Sequence, residues 1–269
     1  PTGASQATIL NPVLGRFSAH HFKVVPTHAC GDFTYSGQPF SSVVVTAMNA
    51  DTVPSTDLNY TGAFAQLVTL SDANGFAGGS FTAAGSILAS AFVSGAATVQ
   101  PVYAFSAART LPTQIKIRAT DADGAVSTLE SASEIRSGRL WLTNAYGSEY
   151  LPLEMPIQFQ FWNNGWRQND SDSCTVLTVP TGGSGGNGGL TNVLATKTSA
   201  SYVALPPPPP GSARLRLSAP GAGNAGVVDV VGNVIRGSAS WLPPNTAFGR
   251  ACFGVCGPRS SVIYFRERF

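Results

Sequence analysis

The chain has 269 residues, long enough for one large β domain or for two smaller ones, each with its own core. Charged residues make up only 11% of it, against roughly 25% in an ordinary soluble domain. The net charge of +2 is spread along the chain, so no basic block exists to footprint nucleic acid, and 29 glycines with 19 prolines point to many turns.

The first ten residues, "PTGASQATIL", carry neither the basic nor the apolar region of a signal peptide, so an exported protein would hold this chain in processed form. In "SSVVVTAM", Val43, Val45 and Ala47 share one face, and period two marks a half-buried strand. Residues 76–108 contain no charge. They are mostly Gly, Ala, Ser and Thr and include Pro101, which predicts a pair of strands with small-residue turns and argues against a membrane span. "QIKIRAT" is a further strand through Ile115 and Ile117, and Asp123-Gly124 in "ATDADGAVS" signals a hairpin turn. A calcium loop would need its glycine two positions later and a closing glutamate.

Residues 139–175 read "RLWLTNAYGSEYLPLEMPIQFQFWNNGWRQNDSDSCT". Leu140 and Leu142 define one strand, and Ile157, Phe159 and Phe161 a second. The intervening "NAYGSEYLPLEMP", with its glycine and two prolines, is expected to be a turn-rich link. Trp162 and Trp166 flank "NNG" and are candidate ligand-binding residues, as a platform for glycans; the alternative is burial in a sandwich core. The "NDSD" loop at 169–172 reads as a solvated loop, with cation binding the rival. The sequons at Asn59 and Asn169 fit surface loops.

Further on, "TGGSGGNGG" (181–189) predicts a flexible link and "PPPPP" (206–210) an extended polyproline segment. "ARLRLSA", through Leu215 and Leu217, and "SVIYFRER" close the list of strand signals. No amphipathic helix of three turns is evident. The expected fold is therefore all-β: an immunoglobulin-like β-sandwich over 1–130, then a second β-rich domain over 131–269, the two able to pack as one unit.

The four cysteines, Cys30, Cys174, Cys252 and Cys256, favour an oxidising, extracellular setting and allow three pairings. Zinc is disfavoured because Cys252 and Cys256 lack a second close-spaced pair, and His20, His21 and His28 lie far away in sequence. Catalysis finds no constellation either. All histidines precede residue 29, no G-x-S-x-G elbow occurs, and the Gly-rich run has no Lys-Ser/Thr after it. No catalytic residue, metal or other cofactor is expected.

The stretch from Gly138 to Thr175 resembles the central signature of the large C-terminal domain of bacterial MSHA-pilus biogenesis proteins of the MshQ type, a family catalogued as a domain of unknown function. "GRFSAHHF" (15–22), "ACGDFTYSGQPFSSVVVTAMNA" (29–50), "LRLSAPGAGNAGVVDV" (215–230) and "ACFGVCGPRSSVIYFRERF" (251–269) match in the same order, so the resemblance spans almost the whole chain. It implies an exported, surface-associated β-rich protein linked to type IV pili, without an established enzymatic role. Where relatives read "ATFGIYRGN" this chain reads "ACFGVCGPR". The resemblance thus implies pairing of Cys30 with Cys174, both in shared motifs, and of Cys252 with Cys256, both new. An extended strand would hold the latter pair about 13 Å apart, beyond the roughly 4.4–6.8 Å of a disulfide, so their bond requires a turn at Gly254.

These features predict a secreted, disulfide-stabilised cell-surface or pilus-associated structural or adhesive protein without catalytic activity. Its expected partners are pilus or surface components, glycans, or further copies of itself. The alternatives are a self-assembling extracellular filament subunit and a secreted carbohydrate-active protein.

Overall fold

The computed structural model describes residues 18–182, 188–205 and 207–255. Most of the Gly-rich run, Cys256 and the expected strand "SVIYFRER" lie outside the described residues. The first half of the chain supplies β1 (His21–Thr27), β2 (Phe33–Tyr35), β3 (Ser42–Met48), β4 (Val68–Asp72), β5 (Gly79–Ala83), β6 (Ser86–Ile87), β7 (Ala96–Val99), β8 (Val102–Phe105), β9 (Thr113–Asp121) and β10 (Ala132–Arg136). One sheet runs β1-β3-β7 and a second β2-β10-β9-β4-β6, with β5 and β8 paired beside them.

Val43, Val45 and Ala47 of β3 and Ile115, Ile117 and Ala119 of β9 are all buried, as their alternation predicts. Each of these buried valines and isoleucines contributes about 1.5–3 kcal/mol of transfer free energy. Aromatic rings fill the space between: Phe22 and Phe92 both meet Tyr60 edge-on, at centroid distances of 5.5 and 5.0 Å. The uncharged 76–108 segment forms four short strands, β5 to β8, rather than a pair, because Ala84 and Ser94 at positive φ and Pro101 interrupt it. Among the described residues no helix is long and apolar enough to cross a membrane.

The second half supplies β11 (Gly138–Leu142), β12 (Ala145–Gly147), β13 (Leu153–Trp162), β14 (Trp166–Gln168), β15 (Leu190–Thr191), β16 (Ala200–Tyr202), β17 (Ser212–Leu217), β18 (Gly226–Val231) and β19 (Phe248–Phe253). Sheet β11-β13-β17-β16, with β14 also on β13, packs against sheet β12-β19-β18-β15. Leu140, Leu142, Met155, Ile157, Phe159, Leu215 and Leu217 face Val228, Val230, Ala251 and Phe253 across the second core. The chain is thus nearly all β, in two sandwiches.

The expected turn-rich link is largely strand. β12 forms inside it, and β13 begins at Leu153 and passes through Pro156, opposite Arg214 of β17. Proline is tolerated because of where its missing N–H would point. The Pro156 carbonyl accepts from Thr143 Oγ1 at 2.8 Å, so that side of the strand faces β11, whose pairing with β13 ends at Leu142 and Ile157. No ladder donor is required there.

β2 belongs to both halves. Its backbone pairs in parallel with β10 of the first sandwich, yet Phe33 and Tyr35 belong to the core of the second, together with Cys30. All three residues of this short strand are buried.

Candidate functional site at the junction of the two sandwiches

Cys30 and Cys174 form a disulfide across the junction, with Cα atoms 5.2 Å apart and a sequence separation of 144. Polar groups surround it. Asp172 Oδ2 accepts from the Tyr35 hydroxyl at 2.9 Å and from Thr175 Oγ1 at 2.7 Å. Oδ1 of the same carboxylate accepts from the backbone N–H of Cys174 and of Thr175, at 3.1 and 3.0 Å, which holds the cysteine loop in place. Asn169 Nδ2 donates to the Tyr35 hydroxyl at 2.6 Å, while its Oδ1 accepts from Arg136 Nη1 at 2.6 Å. The Arg136 guanidinium in turn lies over Phe33 and Phe161, at 4.3 and 4.9 Å from the ring centroids. Burial, with help from the Asp172 charge, holds the Tyr35 hydroxyl well above the ordinary tyrosine range.

The "NDSD" loop is therefore not a solvated loop. Asn169 and Asp172 are 1% and 3% exposed and bridge the two sandwiches. The surface reading of the Asn169 sequon fails for the same reason, since its amide is consumed inside the junction, whereas Asn59 is exposed. Cys30, Asp172 and Cys174 are the one group of three potential metal ligands among the described residues. The two sulfurs are bonded to each other, so neither is available as a thiolate.

Trp162 and Trp166 meet across the β13–β14 turn, edge-on at 5.5 Å, with Asn164 at φ 51° making the reversal. Both are half-buried, neither core residues nor a bare platform. They belong to a row of rings and guanidinium groups. Arg139 lies 4.4 Å from the Trp141 ring and 4.2 Å from that of Trp166, and Arg109 lies 5.3 Å from Trp162. Beside this row opens a cleft of about 520 Å³, lined from the first sandwich by residues such as Ser36 and Arg109 and from the second by Arg139, Trp166 and Trp241.

Other residues singled out in the sequence have structural work. Asp121, at the start of the Asp123-Gly124 turn, accepts from the backbone N–H of Asp123 and Ala125 and from the Tyr60 hydroxyl, an internal turn rather than a cation loop. His28 bonds Thr34 Oγ1 at 3.1 Å, and burial lowers its pKa. Cys252, buried in β19, is disulfide-bonded. Gly254 beyond it adopts φ +70°, a turn open to glycine.

A family model for the third domain of DUF6701 matches residues 3–138, and one for its fourth domain matches residues 136–268. The chain belongs to the DUF6701 family. The two matched DUF6701 domains meet where β10 ends the first sandwich and β11 opens the second. No curated protein matches the chain. Among solved structures, the FdeC adhesin of Escherichia coli is similar over 88% of this chain and 65% of its own length, at 13% identity and a TM-score of 0.41. Domains 5–6 of the S-layer protein SbsC are similar over 88% of this chain and 99% of theirs, at 12% identity and a TM-score of 0.26. The D0-D1 domain of intimin is similar over 87% and 95%, at 13% identity and a TM-score of 0.23.

Proposed function

We propose that this DUF6701 domain pair is a rigid, non-catalytic unit of a secreted surface protein serving adhesion or pilus-associated structure, its two units dividing at Ser137. The observation that carries this reading is the junction: a disulfide between the sandwiches, surrounded by buried hydrogen bonds. Such a bond forms and persists in oxidising compartments, and a fixed angle between domains suits a part that transmits position or load rather than one that turns over substrate. The resemblance to MshQ-type proteins supports the pilus association. Antibody labelling of intact cells producing the full-length protein tests the surface assignment, and labelling only after permeabilisation overturns it. Recovery of the protein with sheared pili tests the finer one.

A filament subunit is the second reading, favoured by an apolar end of the first sandwich. Leu58, Phe64, Leu88 and Val93 are 52–70% exposed there, on loops joined where Thr61 Oγ1 donates to the Phe92 carbonyl. Electron microscopy of concentrated protein separates the two, since single particles alone sink the filament.

A further inference from the structure

We propose that the cleft at the junction binds a carboxylate-bearing sugar, such as a uronic acid unit of an acidic glycan, with Arg109 and Arg139 holding the carboxylate. Among the described residues the lining contains these two arginines and no aspartate or glutamate. Neither arginine has a carboxylate partner among the described residues. Arg139 Nε donates to Gln160 Oε1, a neutral acceptor, at 2.8 Å. Two unneutralised cations, one from each sandwich, in a partly enclosed site attract an anion.

Two rings hold the Arg139 guanidinium at the cleft. Its carbon centre lies 4.4 and 4.2 Å from the ring centroids of Trp141 and Trp166, its Nε is engaged by Gln160, and its terminal N–H groups have no acceptor among the described residues. A planar fork held in place by two rings, with its terminal donors unused, is suited to bidentate capture of a carboxylate. Burial and the neighbouring Arg109 charge both lower the Arg139 pKa, as expected for a cation short of a counter-charge.

The remaining lining favours a sugar over a peptide carboxylate. Trp166 and Trp241 border the cleft, offering the aromatic surface that the C–H groups of a pyranose pack against. Trp241 Nε1 is buried without a hydrogen-bond partner among the described residues. Ser36 and Ser137 oxygens accept from the backbone N–H of Phe105 and Thr110, which leaves both hydroxyl hydrogens free to donate.

This deepens the surface-protein reading by naming what the surface would meet, and rests on it for the setting alone. Calorimetric titration of the purified whole chain with trigalacturonate, its uncharged methyl ester and a triglutamate peptide tests it without reference to cell location. We expect trigalacturonate to bind and the methyl ester to bind at least about tenfold more weakly, the loss expected for a charge-assisted pair. Arg109 is exposed, so Arg109→Ala should leave the melting temperature unchanged and weaken trigalacturonate by a similar factor. No binding of trigalacturonate, equal binding of the methyl ester or of triglutamate, or an unaffected Arg109→Ala protein would each overturn the proposal.

Discussion

Asn169 donates a 2.6 Å hydrogen bond to the hydroxyl of Tyr35, 134 residues earlier in the chain, and the same hydroxyl donates to Asp172. One phenol thus serves two buried partners from the opposite sandwich. Tyr35→Phe keeps the ring and its packing but leaves the Asn169 amide and one Asp172 oxygen short of a partner. We expect a loss of about 1–3 kcal/mol in urea unfolding, and an unchanged midpoint would show that the polar junction contributes nothing to stability.

Cutting the covalent link should cost more. In the chain-entropy account, closing a loop of this length stabilises by roughly 4–5 kcal/mol, so Cys174→Ser should lower the unfolding free energy by an amount in that range. Small-angle scattering before and after reduction reads the second effect, a wider distribution of angles between the sandwiches. Non-reducing peptide mapping checks the bond itself.

Much of this architecture was legible in sequence. Alternation at Val43/Val45/Ala47, at Ile115/Ile117 and at Leu215/Leu217 marked strands whose inward faces are buried, because a period of two has few other uses. Pro156 misled: whether a proline breaks a strand depends on which neighbour its missing N–H would have faced, and that is a property of the sheet. The junction was hidden for a related reason. Asn169 and Asp172 look like solvated loop residues until Tyr35 and Arg136 arrive from the other half of the chain, and a polar run carries no sign of its distant partners. The tryptophans were visible as candidates, but the arginine beside each was not, since Arg139 reaches Trp166 only through the pairing of β11, β13 and β14.

Gly138 is another consequence of close approach. A Cβ at this position would lie 2.5 Å from Leu242 Cδ2 and 2.5 Å from Tyr35 Cδ1, both buried in the second core. Gly138→Ala should therefore destabilise by about 1–3 kcal/mol through overpacking, measured by thermal melting. A neutral result would mean that Tyr35 can withdraw without breaking its hydrogen bonds.

Stability should fall at both ends of the pH scale for different reasons. Burial raises Tyr35 and Tyr60 and pushes Tyr103 up to about 12. Unfolded tyrosines ionise near 10, so this stabilisation is complete below about pH 10 and is lost as pH rises through the folded values. At the acid end, the hydrogen bonds from Arg250, at 2.7 and 2.9 Å, lower the Asp229 pKa. That contribution is present above about pH 3.9, the unfolded value, and disappears as pH falls through the folded one. Melting curves across pH should show both arms, and Asp229→Asn should flatten the acid arm alone.

Cys252 is disulfide-bonded, Gly254 supplies a turn at φ +70°, and Cys256 lies outside the described residues. We expect the two cysteines to bond to each other. Intact-mass and non-reducing gel analysis checks this, and reductant-sensitive ladders would instead make the bond intermolecular and raise the filament reading above the adhesive one.

The placement of β2 also governs the order in which the protein can be made. Phe33 and Tyr35 complete a core whose other walls, β13 and β17, come from residues 153–162 and 212–217. During synthesis from the N-terminus the first sandwich therefore emerges with these aromatic rings and the Cys30 thiol uncovered, and they stay so until the second sandwich has followed. A premature bond from Cys30 to any other thiol would trap the chain before its partner, 144 residues downstream, is available. Maturation is thus gated by translation and oxidation together, and a fragment starting at β11 would begin life with a hole in its core where β2 belongs.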